Sequence, residues 1–111
     1  MSREIPESDW RILRRLHSNA LERFCQQSLV EIQRLASNTD EPCRDRYIQI
    51  SNLVRDRNRE MAHALDDMHR SQAIQRIACI YSLGLLTEEE FNLFSPGTRD
   101  AVRGLVELLQ D

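Results

Sequence analysis

Glu60-Met61-Ala62-His63 sets a carboxylate and an imidazole three residues apart, on one face of a helix. Carboxylate-bridged metal centres in helical bundles are assembled from such pairs, together with a Glu from each of two further helices. A third donor, His17, is expected opposite Met61. His17, Glu60 and His63 therefore form the candidate metal set, with solvent in an open position. Asp66-x-x-His69 repeats the spacing, but on the same helix. A histidine satisfied by a neighbouring hydrogen-bond partner is the alternative reading, and no cofactor is expected.

All fifteen basic residues are Arg, against eighteen acidic residues, for a net charge of −3. Arg binds phosphate and carboxylate bidentately, which makes Arg11, Arg15, Arg55 and Arg59 the candidate anion-binding residues. Through residue 83 there are thirteen Arg against twelve acids, and after it two against six, so no basic stripe stands unopposed. Nucleic acid is not the expected partner on that ground. A helix-turn-helix built from the C-terminal third would also bring Glu88, Glu89 and Glu90 against phosphates. A nucleic-acid-associated regulator using the Arg-rich helices is kept as the alternative function.

Cys25, Cys43 and Cys79 are odd in number and show no Cys-x-x-Cys spacing. They make neither a disulfide framework nor a zinc ribbon, and reduced thiols in a cytoplasmic protein are expected. Cys43, at the start of a helix beside Arg44, is the one thiol in a setting that could favour a thiolate, with an ordinary exposed cysteine the preferred reading. With three Gly in all there is no phosphate-binding loop, and no Gly-x-Ser-x-Gly occurs. No catalytic residue is assigned and no enzymatic activity is expected. The first ten residues lack the apolar stretch of a signal peptide. The uncharged run Ile77–Leu86 is far shorter than the roughly 20 residues of a membrane span, so no membrane association is expected.

The elements that hold these groups must be helices. The 111 residues are 41% hydrophobic, 30% charged and 5% aromatic, with three Gly and three Pro. That leaves too few β-formers and turns for a sandwich or barrel, and nothing alternates at period two. A chain this short is one domain, residues 1–111. The expected fold is all-α: a long antiparallel hairpin of helices over 8–36 and 42–69, the second extended by a helix over 71–83. Whether that second helix runs on, kinks or restarts near Arg70 is open. Two short helices, 87–94 and 96–110, pack on the hairpin. Thr87 and Glu90 form a capping box, and Gly84 is a left-handed C-cap.

The first helix carries two adjoining apolar stripes, Trp10, Leu13, His17, Ala20 and Phe24, then Leu21, Cys25, Leu29, Ile32 and Ala36. A turn centred near residue 39 faces Trp10 with Met68, Leu13 with Leu65, Phe24 with Val54 and Ile32 with Tyr47. It also sets Arg11, Arg14 and Arg15 near Asp66, Asp67 and Glu60, and Arg55 and Arg59 near Glu22. Intramolecular ion pairs thus compete with the anion-binding reading. Two helices cannot bury both of their faces alone, so the C-terminal helices or a second copy of the chain must cover the rest. The stripe Val102, Leu105 and Leu109 is the candidate interaction face.

Ile80-Tyr-Ser-Leu-Gly-Leu-Leu-Thr-Glu-Glu-Glu-Phe resembles the helix–Gly–Leu/Ile–Thr-x-Glu-Glu-Phe–helix signature of short bacterial C-terminal oligomerisation modules, the SHOCT type. The resemblance is local, to residues 80–91. Downstream, Phe94-Ser-Pro-Gly-Thr-Arg stands where those modules continue with a Lys-rich helix. The resemblance implies self-association in a bacterial protein and assigns no site. The expected function is a protein-interaction or self-association module without catalysis, acting as a homodimer or with an unidentified protein.

Overall fold

The structure, a computed structural model, describes residues 5–109. Residue 110, to which the last helix is expected to run, lies outside them. Five α-helices follow one another: α1 Glu7–Ser37, α2 Cys43–Leu65, α3 Ala73–Ser82, α4 Glu88–Phe91 and α5 Pro96–Leu109, with a 3₁₀ turn over Arg70–Gln72 before α3. No strand occurs among the described residues, and the all-α expectation holds. None of the described helices is long and apolar enough to cross a membrane.

α1 runs unbroken through Asn19 and Glu22. It opens at Pro6, whose carbonyl accepts the amides of Asp9 and Trp10 at 3.0 Å, with Glu7 and Asp9 placed favourably in the first turn. The turn into α2 is held by Arg46, whose Nη1 donates to Ala36 O (2.6 Å) and whose Nε donates to Glu41 O (3.0 Å). Those two carbonyls belong to the end of α1 and the loop after it, groups that a helix terminus leaves without backbone partners.

α2 stops at Leu65, four residues short of the expected 69. Asp66 is extended and Asp67 takes a left-handed φ of 51°, a conformation that Asp tolerates better than most residues. His17 Nε2 donates to the freed carbonyl of Leu65 at 2.7 Å. The chain therefore restarts, and the second long helix is not continuous through residue 83. His17 against Leu65 and Ala36 against Arg46 place the two helices about a turn beyond the register in which Phe24 faces Val54, and Glu31 against Arg57 lies nearly three turns beyond it.

The cap of α3 forms as expected. Gly84 has φ +73°, Leu85 N donates to Ile80 O (2.9 Å) and Gly84 N to Tyr81 O (3.1 Å), the paired bonds of a Schellman end. Thr87 and Glu90 then close the capping box over α4. α4 is a single turn, shorter than the expected 87–94, because the amides of Leu93 and Phe94 bond to carbonyls three residues back.

The core lies at one end. Leu13, Leu16, Ala20 and Phe24 of α1 meet Ala64 and Leu65 of α2, Ile77 and Ile80 of α3, and Phe91, Phe94 and Val102 beyond. Each large side chain buried there contributes on the order of 1.5–3 kcal/mol. Past Phe24 no residue of α1 is buried, and in α2 only Ala64 and Leu65 are. The remainder of both helices projects as a two-helix arm. The radius of gyration, 16.5 Å, exceeds the roughly 13 Å of a compact chain this long for that reason.

Candidate interaction surface

The arm is closed along its middle by partly buried side chains. Arg57 Nη2 donates to Glu31 Oε2 across the hairpin at 2.6 Å, and its Nη1 donates to both Glu60 oxygens at 3.0 Å. Hydrogen bonding to Arg57 holds the Glu31 carboxyl below its ordinary value. Beside this network one side of the arm opens into a cleft of about 320 Å³, bordered by Phe24, Cys25, Leu29, Ile32, Val54 and Met61. Leu29 is 63% exposed, Val54 38% and Tyr47 76%. Of the second apolar stripe of α1, Cys25, Leu29 and Ala36 are thus left facing solvent and Ile32 is half-buried, while Leu21 packs against the core.

Polar contacts join the first half of α1 to the C-terminal helices alongside the core. Arg23 grips Glu90 through Nη1 to Oε1 at 2.5 Å and Nη2 to Oε2 at 3.1 Å, and Nη1 also donates to Leu85 O at 2.9 Å. The hydrogen bond from Arg23 is the largest influence on Glu90, and it holds the carboxyl below its ordinary value. Asp9, 1% exposed, accepts Ser95 N at 2.9 Å, Ser95 Oγ at 2.6 Å and Thr98 Oγ1 at 2.6 Å. Burial raises the Asp9 carboxyl, but these hydrogen bonds outweigh it, and the group titrates below its ordinary value. Asp9 thereby ties the start of α1 to the start of α5. Its one signal in the sequence is an acid at the head of the stripe Leu13, Leu16 and Ala20, a place where a charge has to be paired.

The candidate metal set does not converge. His17 donates through Nε2 to Leu65 O, and since a carbonyl only accepts, that nitrogen carries a proton. Glu60 is held by Arg57. His63 is exposed; it borders one hollow with Glu60, Cys79 and Ser82 and another with Gln72, Gln75 and Arg76, and His17 lines neither. Among the described residues no three His, Cys, Asp or Glu side chains gather as a metal site.

The candidate anion-binding residues do not form one patch either. Arg11 pairs with Glu7 on its own helix at 3.4 Å, and Arg55 reaches Asn52 at 2.9 Å. Arg15 and Arg59 are exposed. Arg11 and Arg15 lie near the start of α1, whereas Arg55 and Arg59 lie midway along α2, roughly 10 to 25 Å away along the arm at 1.5 Å per residue. The expected pairing of Arg55 and Arg59 with Glu22 is absent among the described residues, because these groups occupy opposite outer edges of the hairpin. Cys43 Sγ accepts from Arg46 Nη2 at 3.2 Å, an arginine committed to the turn.

The stripe expected as the interaction face is mostly core. Val102 is fully buried and Leu105 partly, since α5 lays this side on α3. Leu109 alone of the three is exposed, beside Leu108. Compared with protein-family models, with curated proteins and with solved structures, the chain matches none.

Proposed function

We propose that this protein is a protein-interaction or self-association module without catalysis, and that it works through the open side of its two-helix arm. The observation that carries this reading is the exposure of Leu29 and Val54 on an apolar cleft that no other described element covers. Contiguous apolar surface of this kind marks interaction sites on otherwise folded proteins. The self-association that the SHOCT resemblance of residues 80–91 implies agrees with this reading. Three free cysteines support a reducing, cytoplasmic setting.

A photo-crosslinking residue placed at position 29, in cells producing the full chain, tests the reading. Exposed Gln49, on the other side of the arm, serves as control. Protein adducts at position 29 and none at position 49 are expected. No adducts at position 29 removes the reading.

A further inference from the structure

We propose that the occupant of the arm's open side is a second copy of this chain, docked in parallel about a two-fold axis running along the arm. α1 of each protomer then lies on α2 of its partner. The proposal rests on reading that side as an interaction surface, and goes further by committing to the partner and its direction.

The rims of the cleft carry opposite charge. At 100° per residue, Cys25, Leu29 and Ile32 share one side of α1, and Glu22 sits at the outer edge of that side. On α2, Val54 lies on the same side of the arm, and Arg55 and Arg59 lie at its outer edge. Among the described residues neither Glu22 nor Arg59 forms an ion pair, and Arg55 reaches only Asn52. They cannot satisfy one another within the chain, because both helices stand between them.

A two-fold axis can bring two copies of this side together in two ways. With the axis across the arm, α1 lies on the partner's α1 and α2 on the partner's α2, so the Arg edge meets itself. With the axis along the arm, the Glu22 edge of each protomer meets the Arg edge of the other. His17 sits against Leu65, and Phe24 shares the cleft with Met61, so Glu22 stands within a turn of the level of Arg59. Each protomer's Glu22 thus opposes the partner's Arg59, and the symmetry repeats the pair.

The body of the protein leaves room for this. Arg23 points to Glu90 and Leu85 on the C-terminal helices, and Cys25, two residues on, points about 160° away from it. The C-terminal helices therefore occupy the other side of the hairpin. Two such arms face to face make a four-helix bundle, and Leu29, Ile32 and Val54 go into its core.

Light scattering on the purified full chain, at concentrations from micromolar towards millimolar, tests the proposal. A dimer is expected, with Leu29→Glu/Val54→Glu a folded monomer by circular dichroism, since both side chains are exposed in one copy. Glu22→Arg alone and Arg59→Glu alone should each weaken the dimer roughly tenfold, because two rim pairs turn from attraction to repulsion. Mixing the two variants should restore a tight heterodimer, in which both pairs are again of opposite sign. A monomer throughout overturns the proposal, and adducts to another protein at position 29 would then leave the broader reading standing. A dimer unaffected by the Leu29/Val54 variant overturns it too. Failure of the mixture to recover affinity overturns the parallel arrangement.

Discussion

The carboxylate of Asp9 accepts both the backbone amide and the hydroxyl of Ser95, a residue 86 positions away. Thr98 adds a third donor from the first turn of α5. One side chain near the start of α1 thus holds the start of the last helix in place. The carboxylate is buried and stays ionised because its three donors replace the water it gave up.

Removing that acceptor leaves buried donors without partners. Asp9→Ala should destabilise the fold by about 3 kcal/mol, given on the order of 1–3 kcal/mol for each buried polar group left unpaired. Urea unfolding followed by circular dichroism measures it. A change under about 0.5 kcal/mol, the range of an ordinary surface substitution, would show that Asp9 does not anchor α5.

Acid should loosen the same joint. Asp9 and Glu90 both titrate lower in the folded chain than at their ordinary values of 3.8 and 4.5. The unfolded chain therefore takes up these protons first as the pH falls. Their stabilisation is complete above the ordinary carboxylate range and is lost as the pH drops through the folded values. Urea midpoints at neutral pH and across the acid range should show a decline below about pH 4, shallower in Asp9→Asn than in the unaltered chain. A midpoint independent of pH would contradict it.

The two ends of the α5 stripe should respond oppositely to truncation. Val102→Ala should cost about 2 kcal/mol, as the loss of two methyl groups opens a void in the core. Leu109→Ala, at a site 63% exposed, should cost less than about 0.5 kcal/mol. Thermal melts of the two variants at one concentration separate these outcomes, and equal effects would place the stripe wrongly.

Two glycines should differ in sign. An added Cβ meets nothing within 4 Å at either Gly84 or Gly104, so backbone conformation alone decides. Gly84→Ala should destabilise by about 1 kcal/mol, because its φ of +73° suits the left-handed cap and strains an L side chain. Gly104→Ala, inside α5, should stabilise by roughly 0.5–1 kcal/mol through helix propensity. Differential scanning calorimetry reads both.

The features that came through from the residues are those whose causes are local. The capping box of Thr87 and Glu90 and the left-handed cap at Gly84 each depend on a handful of consecutive positions. The long hairpin shows in the periodicity of its two arms. The apolar stripe Cys25, Leu29, Ile32 and Ala36 was also visible, because side-chain spacing alone places those residues on one side of a helix.

What only the tertiary structure decided is which surfaces meet. Val102 and Leu29 belong to equally apolar stripes, yet Val102 is buried under α3 and Leu29 stands in solvent. Periodicity identifies an apolar side without saying what covers it. Glu22 and Arg59 lie at nearly the same level of the hairpin yet do not pair, because level is set by residue number and edge by the rotation of each helix against the other. His17 stays apart from Glu60 and His63 for the same reason. The break after Leu65 depends on Asp67 and on a bond from His17, forty-eight positions back. Asp9 finds its donors only once α5 has docked. Each of these depends on long-range packing, where a turn of register or a rotation of one helix changes every partner, and the amino-acid order carries that information only through the folded whole.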